Sequence, residues 1–166
     1  MSKTLSNIRK EIKARTRHLH EGLEELPVSK AIVDETISRD AYAAGLQQHY
    51  HVYAALERAL ETTPTLEGVY RQDQSRLEHV RADLTFFGAE PNAELLEASN
   101  AIIALFNRFA AEDPLALLGA FYVFEGSRLG SSVLYLHLSR ALDVDPAPGN
   151  GLDMHMGGLA TLGRDF

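Results

Sequence analysis

YVFEGSRLGSSVLYLHL, residues 122–138, reads as the interior of a long helix, yet it places Gly126 and Gly130 one turn apart with Ser127, Ser131 and Ser132 beside them. An interior glycine costs a helix roughly 1 kcal/mol relative to alanine. A helix that accepts two gains something from the missing side chains. Two accounts are open: close packing of a neighbouring helix, or backbone lying directly against a flat ligand with room for a small molecule between. The stretch is not a phosphate loop, because the Gly-Lys-Ser/Thr ending is absent. Glu125 and Arg128 argue against a lipid setting for the small-residue spacing. A serine between glycines also lacks the strand–turn–helix context of a nucleophile elbow.

Working outward, Asp113-Pro114 supplies a cap and first-turn proline for this helix, which is expected to reach about Leu142. Upstream, Leu5, Ile8, Ile12, Leu19, Leu23 and Leu26 recur at helical spacing and stop at Pro27, predicting a first helix over about residues 5–26. A second begins at Ser38, a good N-cap, and carries Tyr42, Leu46, His49, Tyr53 and Leu56 toward Thr62-Thr63-Pro64. Leu77, Val80, Leu84 and Phe87 mark a third helix closed by Gly88 and Pro91, and Asn92 opens a fourth through Leu95, Ile102, Leu105, Phe106 and Phe109. Tyr122, Phe121, Phe124 and Tyr135 are helically spaced and expected mostly in the core. The tail from Asp145 is rich in Gly and Pro and reads as largely irregular. No segment alternates in the manner of a strand, so the expected architecture is an all-α, single-domain helical bundle spanning residues 1–166.

Composition bounds the function. A chain of 166 residues, 45% hydrophobic and 23% charged, can bury one sizeable core. The absence of cysteine removes disulfides, thiolate metal sites and a cysteine nucleophile. A net charge of −7 opposes nucleic acid as the main partner. Glu125, Arg128 and His137 break the apolar runs short of a membrane span, and MSKTLSNIRK lacks the apolar stretch of a signal peptide, so no membrane partner and a cytoplasmic location are expected. Basic residues cluster at the start, where Lys3, Arg9, Lys10, Lys13, Arg15 and Arg17 face only Glu11. That concentration suits an anionic ligand.

Stepping 100° per residue, Lys13, Arg17, His20 and Glu24 share one narrow face of the first helix, while His18 lies on the opposite flank beside Arg15 and Glu11. A neutral His20 can give one nitrogen to a metal while Glu24 orients the ring, and Lys13 and Arg17 can meet carboxylates of whatever carries the metal. The plainer account, a packed or solvated histidine at the edge of the apolar stripe, stays open on this helix alone. No Glu-x-x-His pair occurs, so a di-iron carboxylate bundle lacks its ligands. His51 and His137 read as satisfied core or surface histidines, and His155 as a loop residue open to solvent or to a propionate.

EGSRLGSS, residues 125–132, preceded by GAFYVF, resembles the distal-helix motif of bacterial heme oxygenases, and QHYHVYAALERAL, residues 48–60, resembles that family's second helix. The similarity runs over about residues 5–142. Aligned without gaps from the second run, it implies that His20 is the proximal heme ligand and metal-binding residue. Glu24 then lies one turn beyond it, and Lys13 and Arg17 fall where basic residues meet the heme propionates. It implies further that Gly126, Gly130 and Ser131 line the heme, with Gly126, Gly130 and Ser127 at the reacting side. The implied activity is cleavage of heme, both cofactor and substrate, to biliverdin, carbon monoxide and ferrous iron. O2 and electrons from an external reductase or ferredoxin drive it, and a bacteriophytochrome is the kind of acceptor that takes up the biliverdin. The chain departs from animal members in having no aspartate between residues 114 and 142. It also ends where members continue into another long helix, so the last helix is expected to be missing or truncated. The other function classes are a heme or bilin carrier without turnover, and a thiamin-pyrimidine hydrolase of the same fold. The hydrolase needs a cysteine nucleophile that this chain lacks.

Overall fold

The structure, a computed structural model, describes residues 2–91 and 94–156, the side chains of residues 2–6, 8, 9 and 128–132 excepted. Among the described residues every long regular element is a helix: α1 (Ser2–Glu24), α2 (Pro27–Val33), α3 (Arg39–Thr62), α4 (Leu77–Phe86), α5 (Glu97–Glu112) and α6 (Ala116–Leu142). The all-α expectation holds. Helix α3 is the central element. Ser38 caps it by accepting the Ala41 N–H at 3.2 Å, and its Tyr42, Leu46, Tyr53, Leu56 and Leu60 are buried. It packs on α4, α5 and α6. One core cluster gathers Tyr42, Leu46, Val80, Leu84, Leu138 and Leu142, and the other Val52, Leu56, Leu60, Phe106 and Leu117. Phe124 of α6 packs against both.

Polar groups, buried and exposed, fix how these helices meet. Glu57 on α3 accepts from Ser75 Oγ at 2.7 Å, from the Arg76 N–H at 2.7 Å and from the Leu77 N–H at 3.3 Å, satisfying orphan donors at the start of α4. Arg39 donates to the Leu142 carbonyl at 2.6 and 2.9 Å, tying the start of α3 to the end of α6. Glu35, in the left-handed region at φ 58° after α2, accepts from Arg140 and lies 3.1 Å from His137 Nδ1. His137 is thus a satisfied histidine, as its sequence context suggested.

Several boundaries differ from expectation, each for a physical reason. Helix α1 ends at Glu24, and Pro27 opens α2 instead of merely ending the first helix, since proline is tolerated in a first turn. Helix α5 starts at Glu97; Asn92 lies outside the described residues. Gln48 holds the approach extended, donating to the Glu94 carbonyl at 3.1 Å and accepting the Leu96 N–H at 3.0 Å. The tail is not irregular throughout: Asp153 to Met156 form a helical turn. Fully buried Asp83 accepts the N–H groups of Asp153 at 2.7 Å and Met154 at 2.9 Å. The turn seats Leu152 and His155 in the interior, so His155 does not face solvent from a loop. Gly151 (φ +84°) permits this approach, since a Cβ there would lie 2.5 Å from a Phe86 ring carbon. Tyr122, expected in the core, is 55% exposed, whereas Tyr135 is buried.

Helix α1 packs on α2 and on no other helix among the described residues. Its Leu19 and Leu23 are each 59% exposed, and Val123, Val133 and Leu136 leave an apolar strip of α6 uncovered. No described helix is long and apolar enough to cross a membrane.

Candidate functional site

On α1 the structure brings His20 and Glu24 together, with Nδ1 3.2 Å from Glu24 Oε1 and both side chains exposed. In the neutral ring with its proton on Nδ1, this contact directs the Nδ1–H at the carboxylate and leaves Nε2 available as a ligand. Lys13 and Arg17 are exposed on the same helix, and Arg15 is paired with Glu11 at 2.8 Å on the flank of His18. The structure does not bring α1 against α6, so His20 is not placed beside the glycine stretch.

On α6 the packing account of Gly126 fails, because a Cβ built there meets nothing within 4 Å. Gly130 lies within α6, but its surroundings and the Ser131 side chain fall outside the described residues. Ser127 Oγ donates to the Phe124 carbonyl at 2.7 Å and also interacts with the Tyr53 phenol, whose pKa burial raises. Tyr53 meets Phe124 edge to face at 5.2 Å, and Phe106 meets the same ring at 5.9 Å. An aromatic floor therefore underlies the turn that precedes Gly126.

Next to this floor is a pocket of about 280 Å³ between α3 and α5, lined by Gln48, His49, Val52, Ala98, Ser99, Ile102 and Phe124. The sequence reading missed His49 as a site residue. Its position on the apolar stripe of α3, in step with Tyr42, Leu46 and Tyr53, was the available signal. His49 Nδ1 lies 2.8 Å from the Gly45 carbonyl. The ring keeps accessible area, yet the protein around it pushes its pKa down. His155, read as a loop residue, is instead buried: burial pushes its pKa down to about 4, and His49 and Arg76 push the same way.

The residues present fit a heme group. Among the described residues no group of three or more His, Asp or Glu side chains is placed to hold a metal ion. An iron held at His20 would take most of its ligands from a porphyrin. The uncovered leucines of α1, the uncovered strip of α6 and the open face of Gly126 suit a flat apolar ring, and Lys13 and Arg17 suit carboxylates.

Fold and site together define a helical bundle with two accessible histidines on its first helix, one of them set against a carboxylate, and a glycine-bearing long helix. The heme oxygenase family profile matches residues 6–157, and the chain belongs to the heme oxygenase family. Among solved structures, the heme oxygenase of Leptospira interrogans is similar at a TM-score of 0.77 and 23% identity, covering 86% of this chain and 72% of that one. Heme oxygenase-1 of the cyanobacterium Synechocystis, solved in complex with heme, is similar at a TM-score of 0.75 and 17% identity, covering 93% and 77%. A sequence search of curated proteins finds no match.

Proposed function

We propose that the protein is an active heme oxygenase, with His20 as the proximal ligand. The observation that carries the reading is the accessible His20 beside Glu24, in a chain matched to the family over residues 6–157. The relative solved with heme supports the ligand. When bound, heme supplies the iron that activates O2 and is itself the substrate, yielding biliverdin, carbon monoxide and ferrous iron. The chain's own residues bind and orient. His20 Nε2 holds the iron while Glu24 fixes the tautomer and ring direction. Lys13 and Arg17 set the rotation of the ring through its propionates. Gly126, Gly130 and Ser131 would let the α6 backbone come close to the ring, and a Cβ at Gly126 meets no protein atom within 4 Å. Ser127, with its hydroxyl bound back to the Phe124 carbonyl, presents little bulk there. Electrons come from a separate donor protein, a reductase or ferredoxin, and a bacteriophytochrome is a suitable biliverdin acceptor. The absence of a long apolar helix among the described residues fits a cytoplasmic enzyme.

The test mixes the protein with hemin and a reductant under air and records the visible spectrum. Loss of the Soret band with growth of biliverdin absorption is expected. A stable Soret band despite efficient reduction identifies a carrier instead. His20→Ala is expected to abolish the histidine-ligated spectrum, with recovery on adding imidazole. If His18→Ala does this and His20→Ala does not, the assignment is wrong.

A further inference from the structure

The α3/α5 pocket contains three polar side chains, and two are committed. Gln48 uses both ends of its amide, donating to the Glu94 carbonyl and accepting from the Leu96 N–H and from Ser99 Oγ at 2.9 Å. Ser99 Oγ is the donor in that last bond, so its proton is spent. His49 is different. The Gly45 carbonyl can only accept, so the 2.8 Å contact places the ring proton on Nδ1 and leaves the lone pair on Nε2. The protein packed around the exposed ring lowers its pKa, which keeps that lone pair available. The remaining walls, Val52, Ala98, Ile102 and Phe124, offer it no partner. Phe124 also carries the pocket to α6: its carbonyl accepts the Ser127 hydroxyl, Ser127 interacts with Tyr53, and the Tyr53 and His49 rings stand 6.3 Å apart.

We propose that His49 is a positioning residue on the α6 side of the heme site. Its Nε2 accepts a hydrogen bond from water in the α3/α5 pocket, and that water is the polar group presented to a small ligand on the iron. The inference rests on the heme reading above and names a residue that reading does not use. Its chemistry is acceptance from an O–H donor. Because Gln48 and Ser99 are already paired, His49 is the acceptor among the pocket walls that a bridging water can use.

Two measurements test it. In the protein without heme, long-range proton–nitrogen spectra are expected to show His49 as the Nδ1–H tautomer; an Nε2–H tautomer overturns the proposal. In the heme-loaded ferrous protein, carbon monoxide serves as the probe, and its C–O stretch reports polarity beside the iron without turnover. His49→Phe is expected to shift that stretch beyond the linewidth, and His49→Gln, which retains an acceptor, to return it toward the parent value. If both variants bind heme and leave the stretch unchanged, His49 has no such role. If the parent binds no heme, the proposed function falls first and this inference with it. If heme binds through His20 and only the stretch is insensitive, this inference alone fails.

Discussion

Asp83 and the turn that carries His155 share one buried seam, and the titrations of the two groups oppose each other. Burial pushes Asp83 up from 3.8 to about 7, with Asp153 adding in the same direction against the two backbone N–H bonds that Asp83 accepts. Burial pushes His155 down from 6.5 to about 4, with His49 and Arg76 adding to it. Between about pH 4 and 6.5 folding therefore makes Asp83 hold a proton that the unfolded chain has released. Over the same range it makes His155 give up one that the unfolded chain retains. Stability rises with pH wherever the unfolded chain holds more protons, and falls where the folded chain does. The Asp83 contribution is fully present below its unfolded pKa and is lost as pH rises to about 7. The His155 contribution is present above 6.5 and is lost as pH falls to about 4. Each full proton difference is worth about 1.4 kcal/mol per pH unit. The two slopes nearly cancel in the parent. Removing either group uncovers the other: in His155→Phe stability is expected to fall by on the order of 2 kcal/mol as pH rises across this window, and in Asp83→Asn to rise by a similar amount. Urea unfolding followed by circular dichroism, at fixed ionic strength and several pH values in the window, gives the slopes. Two variant curves parallel to the parent curve would refute the opposed titrations.

Gly126→Ala is expected to raise the stability of the heme-free protein by up to about 1 kcal/mol, because the methyl meets nothing within 4 Å. Heme turnover is expected to drop. A variant that melts lower yet degrades heme normally would restore the packing account. Gly151→Ala is expected to lower stability by about 2 kcal/mol or more, since φ is +84° and the methyl must displace the Phe86 and Phe87 rings; an unchanged melting temperature would contradict that geometry. The double variant Lys13→Ala, Arg17→Ala is expected to weaken heme binding modestly, exposed pairs being worth under about 1 kcal/mol, and to change the biliverdin isomer formed. The same isomer at the same affinity would remove both residues from the site.

Elements with strong local signals were legible in the sequence. Ser38 capped α3 as expected, and the stripe through Tyr42, Leu46, Tyr53 and Leu56 is the buried face of that helix. What was not legible depended on distant partners. The late start of α5 follows from Gln48, almost fifty residues upstream, holding Glu94 and Leu96 extended. The turn at residues 153–156 follows from Asp83, seventy residues upstream of Asp153. A Gly- and Pro-rich tail has no periodicity to reveal that a buried carboxylate will organise it. In the site, His20 with Glu24 could be read from i,i+4 spacing because both lie on one helix. His49 could not be weighed without the Gly45 carbonyl and the α5 wall that make its Nε2 the uncommitted acceptor of its pocket.

The apolar stripe of α1 is the instructive departure. Its spacing is that of a helix face wanting cover, yet Leu19 and Leu23 remain mostly exposed and α1 rests on α2 alone among the described helices. Helices of this kind draw most of their stability from packing an apolar face, so α1 gains little from the protein around it. Val123, Val133 and Leu136 leave a comparable strip of α6 uncovered. Covering a leucine fully is worth about 1.5–3 kcal/mol, and a flat apolar ligand reaching several such residues supplies contacts that the protein alone does not. On the proposed reading heme is therefore a structural member of the bundle as well as its substrate. On that reading, ligation at His20 would draw α1 into a fixed position, and part of the binding energy would go into ordering it. Affinity would then depend on residues that never touch iron, and oxidative opening of the ring would remove the flat surface offered to α1. Under the proposed function, product release and the loosening of α1 would be a single event.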